Sequence, residues 1–234
     1  MVLVGKIFRV EGDMAPELAA EKLRGWRVER SVAHGGEEFT LRTQVDVKTV
    51  REAEVWGELY EEYLVPLFGR EGVRYEVSAR VIPFIMFWTD SGPMLLILAK
   101  RPKANAAASL LSNALLLGSG GIVEAKISHE TLRELHESNP EAAKVVYFDQ
   151  VDLPNIRKLS LFGEALADTN LYQEYLKHGK IWYVVFEDRE WGLTVGVTRN
   201  CVVTVFTATE VENFVRYVME RIVPLVEPLG SGET

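Results

Sequence analysis

The sequence predicts an α+β fold. Two similar strand-helix-strand-strand-(strand)-helix modules, each a largely antiparallel sheet faced by helices, are joined by a central β-hairpin/helix segment. Three observations carry this. Short runs alternating apolar and polar residues recur between Gly, Pro, Asn and Asp turns, which is the period of strands. Stretches with apolar residues three and four apart stand among them, which is the period of helices. The two ends of the chain also echo one another. Ile7-Phe8 and Leu161-Phe162 precede the helix-closing glycines Gly25 and Gly179 by equal spacing, and Val65-Pro66-Leu67 matches Val223-Pro224-Leu225. These echoes suggest an internal duplication, with modules at 1–72 and 153–230 and a central segment at 73–152; modules that share a continuous sheet would count as one domain.

Element by element, residues 2–10 read as a strand and 16–24 as a short helix, with Pro16 in its first turn and Gly25 past its end. The segment from Trp26 and the alternating Phe39, Leu41, Thr43, Val45 and Val47 form a hairpin about His34-Gly35-Gly36. A long helix is then expected. Thr49 and Glu52 have capping-box spacing, and Trp56, Leu59, Tyr60, Tyr63, Leu64 and Leu67 make an apolar stripe that Pro66 bends or ends.

Residues 73–88 alternate and then become continuously apolar, as in a strand passing from half-exposed to buried; Asp90-Ser91-Gly92-Pro93 turns the chain into a second buried strand at 94–99. The uncharged helix at 104–117 ends at Gly118-Ser119-Gly120-Gly121. A strand at 122–127, a helix capped by Ser128 and stopped by Asn139-Pro140, and a strand at 144–151 complete the centre. The last part reads as a strand at 156–162, a helix capped by Asp168, strands at 181–186, 193–197 and 202–206, and a final helix with Thr209 and Glu212 at capping-box spacing.

Composition limits the function classes. The 234 residues are 47% hydrophobic and 26% charged, too apolar for a disordered chain. One cysteine, Cys201, excludes a disulfide framework and a Cys-rich zinc module. Lys+Arg number 26 against 34 Asp+Glu, a net charge of −8, which disfavours nucleic acid as a partner. The apolar run at 104–117 is shorter than the ~20 residues of a spanning helix. With no secretory signal at the start, the expected place is the cytoplasm, without membrane contact. Scarce glutamine and cysteine beside abundant charge give the composition a thermophile-like cast.

Reactive motifs are few. The histidines, His34, His129, His136 and His178, lack zinc-helix spacing, and no G-x-S-x-G elbow or P-loop is present. The sharpest chemical pattern is Glu124-Ala125-Lys126 on a strand. An acid and a lysine two apart share a strand face, and with Asp90 or Asp149 as a second acid they would suit a phosphodiesterase or nuclease using Mg or Mn. That arrangement requires Asp90 or Asp149 within about 6–8 Å of Glu124. Against it, Glu and Lys commonly alternate on the wet face of a strand. A small-ligand site between the modules is a third possibility.

The preferred expectation is a non-catalytic regulatory or scaffolding protein with no cofactor. It acts through contact with a protein partner or through self-association, as a homodimer. The residues expected at that interface are Leu110, Leu111 and Leu115 of the uncharged helix, and Trp182 and Trp191 near the C-terminal strands.

Overall fold

A computed structural model describes residues 2–70, 72–115, 121–138 and 143–228. Among these, twelve strands and five helices form an α+β protein built on an open antiparallel sheet. Residues 118–120 of the expected loop, positions 116–117 of the expected helix and the Asn139-Pro140 stop lie outside the described residues.

Contacts divide the chain into two compact units, Phe8–Val123 and Met1–Ile7 with Glu124–Thr234. The expected boundary at 72/73 falls inside the first of these and that at 152/153 inside the second.

Strand β1 (Leu3–Val10) contributes to both units. In the Phe8–Val123 unit follow helix α1 (Pro16–Leu23), β2 (Arg27–His34), β3 (Glu37–Arg51), β4 (Glu54–Gly69), β5 (Gly72–Thr89), β6 (Gly92–Ile97) and helix α2 (Arg101–Ala114). The strand order is β2-β3-β4-β5-β6-β1. Alternation in β3 places Leu41, Thr43 and Val45 inward, as the sequence predicts. Val45, Leu59, Ile82, Phe84 and Met86 join Ala19, Ala20 and Leu23 of α1 and Ala104, Ala107, Ala108 and Leu111 of α2 in one core. Two hydrogen bonds lock its rim, Lys22 Nζ to the Leu115 carbonyl at 2.9 Å and Trp88 Nε1 to the Met14 carbonyl at 2.5 Å.

The expected long helix after Thr49 is absent. Thr49 lies within β3, Glu52 lies in a turn, and the stripe residues belong to β4, where Val55, Gly57 and Leu59 alternate inward. The long apolar run of β5 decides the matter. It offers β4 a ladder from Glu54↔Phe87 to Gly69↔Gly72, and the aromatic and β-branched residues of both strands suit a pleated surface. At Gly57 the Phe84 ring lies so close that an added Cβ would stand 2.5 Å from Cζ, so glycine here makes room for the core.

The other unit contains the short β7 (Ile122–Glu124) at its boundary, then helix α3 (His129–Glu137), β8 (Ala143–Asp149), β9 (Leu159–Phe162), helix α4 (Asn170–His178), β10 (Lys180–Asp188), β11 (Leu193–Thr198), β12 (Val202–Val205) and helix α5 (Val211–Tyr217). Its order, β1-β12-β11-β10-β8-β9, is antiparallel throughout. One sheet face buries Val146, Phe148, Ile181, Val184, Phe186, Val195 and Val197, and α3 packs on β10. Ser128 caps α3 as expected, accepting from Thr131 N at 2.9 Å. The cap of α4 is Thr169, one residue after the expected Asp168, which sits in a preceding tight turn. Glu210 begins α5 without a side-chain cap, so the Thr209/Glu212 box does not form.

The duplication is not confirmed. The opening order β1-α1-β2-β3-β4 ends in a strand where the closing order ends in a helix. Val65-Pro66-Leu67 lies in β4, whereas Val223-Pro224-Leu225 forms a tight helical turn. Gly25 has φ +71°, while Gly179 is extended at −153°.

Candidate functional site

Each residue of the predicted acidic set has its own surroundings. β7 ends at Glu124, so Lys126 lies beyond the strand and points into solvent, its carbonyl accepting from Glu227 N at 2.8 Å. Glu124 pairs with Lys6 Nζ from β1, a side chain with 0% exposure, and accepts from Asn200 Nδ2 at 3.1 Å. Asp149 Oδ2 accepts from Arg199 Nη2 at 2.6 Å, and its Oδ1 is buried without a partner. Asp90 stands exposed on the β5–β6 turn of the other unit. Among the described residues no three His, Cys, Asp or Glu side chains gather as a metal site.

What the Lys6–Glu124 pair does is structural. A fully buried ammonium is costly unless a carboxylate faces it, and removing either partner of such a pair costs about 3–5 kcal/mol. Around it the turn 199–201 is pinned by Ile7 N to Cys201 O at 3.0 Å and Ile127 N to Arg199 O at 2.9 Å. Cys201 is buried within this turn at φ +53°.

The histidines also have local explanations. His129 Nδ1 accepts from Ile181 N at 2.8 Å, and burial holds its pKa below the usual imidazole value. His178 Nδ1 pairs with Asp152 Oδ1 at 2.8 Å, and His34 meets the Tyr75 ring edge-on at 4.8 Å. His136 is 0% exposed and stacks on Tyr172 with both ring nitrogens unpartnered; burial lowers its pKa to about 4. Burial raises the Tyr172 phenol, whose hydroxyl donates to Glu137 Oε1 at 3.3 Å.

No family model matches the sequence, and no curated protein is similar to it. The geometry therefore carries the functional reading alone.

Of the expected interface residues, Leu111 and Leu115 are each 1% exposed and lie in the core of the Phe8–Val123 unit. Only half-buried Leu110 reaches the surface of that helix. The helix expected to be uncharged begins three residues earlier and carries Arg101 and Lys103 exposed in its first turn; beyond them one face packs by small residues and the open face carries Asn105, Ala106, Ser109 and Asn113. Trp182 is half-buried among Tyr147 and Tyr183, with Lys158 Nζ 4.9 Å from its ring. Trp191 meets Tyr217 edge-on at 5.3 Å beneath Arg216. Both tryptophans thus have packing partners within their own unit.

The large unsatisfied surface is one the sequence reading missed. Pairing of β3 with β4 stops at Thr43↔Glu61, while β4 and β5 continue together to Gly69↔Gly72. This distal hairpin exposes Leu67 (37%), Phe68 (83%), Val73 (46%), Val77 (45%) and Val81 (53%). The register sorts them. Tyr60/Val81, Glu62/Ala79, Leu64/Val77, Pro66/Tyr75 and Phe68/Val73 are directly opposed, so these ten side chains share one face, and only Glu62 is charged. That carboxylate is occupied, accepting from Arg42 N at 2.8 Å and from the Tyr60 hydroxyl at 3.1 Å. The opposite face is polar in part, with Arg80 and Glu61 paired at 2.6 Å. Near the tip, His34, Gly35 and Glu37 flank a shallow crevice against Val73–Glu76. The alternation that puts Val73, Val77 and Val81 on one side was legible; the face was missed because their partner strand β4 read as a helix.

Proposed function

We propose that this is a non-catalytic cytoplasmic protein, regulatory or scaffolding, that acts through protein–protein contact or self-association, and that the distal β4–β5 hairpin is its contact surface. The observation that carries the reading is the apolar face from Tyr60/Val81 to Phe68/Val73, with Phe68 83% exposed at its tip. Apolar patches of this extent on a folded surface mark interaction sites. A two-stranded ribbon is also marginal in water without a face to pack against. The reduced, buried thiol of Cys201 suits the cytoplasm, and no helix among the described residues is long and apolar enough to cross a membrane.

Photo-crosslinking tests the reading. A benzophenone amino acid in place of Phe68, irradiated in cells, is expected to give a defined protein adduct. The same amino acid replacing Leu18, which is 44% exposed on α1, is expected to give none. Equal labelling at both positions, or none at Phe68, overturns the proposal.

A further inference from the structure

We infer that the face of β8–β11 turned away from α3 and α4 is a stacking platform for single-stranded nucleic acid, with Phe162 and Tyr147 as its rings and Lys158, Lys180 and Arg199 along its rim. It belongs to the other unit from the hairpin and goes beyond the contact function proposed above.

The two helices take one side of this sheet. α3 packs on β10, and Phe148 of β8 meets Tyr172 and Tyr175 of α4. Alternation turns the neighbouring residues to the other side. There the register aligns Ser160, Tyr147, Tyr183 and Thr198 across β9, β8, β10 and β11, and the next row runs from Phe162 to Gly196. Phe162 is 66% exposed, and Tyr147 meets it edge-on at 5.7 Å. Tyr147 in turn touches the Trp182 and Tyr183 rings at 5.7 and 5.6 Å, so a packed group of rings backs the exposed one. The irregularity in β10 between Ile181 and Tyr183 is what brings Trp182 into this group. Lys158 Nζ lies 4.9 Å from the Trp182 ring centre, so Trp182 supports the group and Phe162 with Tyr147 offers the open stacking surface.

Exposed rings alone do not choose a partner; the charges beside them do. No carboxylate stands in either row. At one end of the rows the cations gather around Trp182. Lys158 lies over its ring, Arg199 N donates to its carbonyl at 2.9 Å, and Lys180 precedes it by two residues, opposite Asp149. Asp149 is the carboxylate among them, and its Oδ2 is held by Arg199 Nη2 at 2.6 Å. At the other end Glu187 has Lys144 Nζ at 3.9 Å. The net charge of −8 is a sum over the whole chain and does not describe this face. Open rings beside a group of cations match a ligand that alternates flat bases with phosphates, the combination that holds single strands without reading their sequence. A duplex keeps its base faces stacked and offers these rings nothing.

Fluorescence anisotropy of fluorescein-labelled decauridine with the full chain tests this. Saturable binding is expected at about 50 mM salt, with a dissociation constant on the order of 10–100 μM. The affinity should fall with salt at a log–log slope of about −2, from about three phosphate contacts at ~0.7 each. Phe162→Ala is expected to weaken binding about tenfold, and Phe162→Tyr to stay within about twofold of wild type. Lys158→Ala should reduce the slope by about 0.7, and Leu18→Ala on α1 should change nothing. Unfolding midpoints check that each variant folds. No saturable binding at low salt, equal affinity of Phe162→Ala and wild type, or a polyphosphate of equal charge that binds as tightly as decauridine overturns the inference. So does a benzophenone amino acid in place of Phe162 that, irradiated in cells, labels a protein and no nucleic acid.

Discussion

The two halves of one hairpin make the instructive comparison. From Glu54 to Leu59 and Ile82 to Phe87, β4 and β5 bury Val55, Leu59, Ile82, Phe84 and Met86 beneath α1 and α2. From Tyr60 to Gly69 and Gly72 to Val81 the same two strands keep the same register, yet Val73, Val77, Val81 and Phe68 meet solvent. Alternation is equally good in both halves. Alternation decides which side chains stand together; only a second layer decides whether they are covered. The two rows lie on opposite faces of the ribbon: Val55, Leu59, Ile82, Phe84 and Met86 belong to the face that α1 and α2 cover, and Phe68, Val73, Val77 and Val81 to the other.

Mutations should separate the halves. The largest effect is expected at Phe84, 1% exposed, where Phe84→Ala leaves a cavity and costs about 3–5 kcal/mol by denaturant midpoint. If that loss is under about 1 kcal/mol, the proximal half is not the packed region described. In the other unit, His136 gives a pH-dependent effect of about 3 kcal/mol from a pKa held near 4 against about 6.5 unfolded. Between those values the unfolded chain binds more protons, so stability rises with pH across the window, and below pH about 4 the loss is complete. The Glu137 carboxylate and the Tyr172 hydroxyl are the titratable groups beside the ring, with Arg133 paired to Glu137 at 2.8 Å. Stability curves of wild type and His136→Phe should diverge only on that acid limb; parallel curves would refute the buried imidazole.

Smaller effects sharpen the comparison further. Gly57→Ala drives a Cβ to 2.5 Å from Phe84 Cζ, and the resulting overpacking is expected to cost about 1–3 kcal/mol. In the distal half Phe68→Ser should change the stability of the monomer by no more than about 0.5 kcal/mol, since the ring is 83% exposed. A large loss there, measured in dilute solution, would mean that the tip packs against its own chain.

Much of this fold was legible in the residues. The β2–β3 hairpin follows from His34-Gly35-Gly36 and the alternation of β3, and the passage of β5 from exposed to buried follows from its change of pattern at Val81. β4 was not legible locally. Trp56, Tyr60 and Leu64 lie on one face of the strand and Leu59, Tyr63 and Leu67 on the other, and the two rows together imitate a helical stripe. The deciding partner, β5, pairs only through the later chain. The same non-local effect hid the fate of Glu124, whose carboxylate is matched by Lys6 across 118 positions of sequence. The contact surface stayed hidden for the first reason, because a strand read as a helix distributes its side chains over the wrong faces.

Pro66 has a consequence of its own. It stands midway along the stretch of β4 that has only β5 as a described neighbour, and it brings no amide hydrogen to any ladder. A ribbon rich in valine and aromatic residues is otherwise suited to recruit strand after strand without limit. A rigid ring at that point interrupts such templated growth along the ribbon's edge.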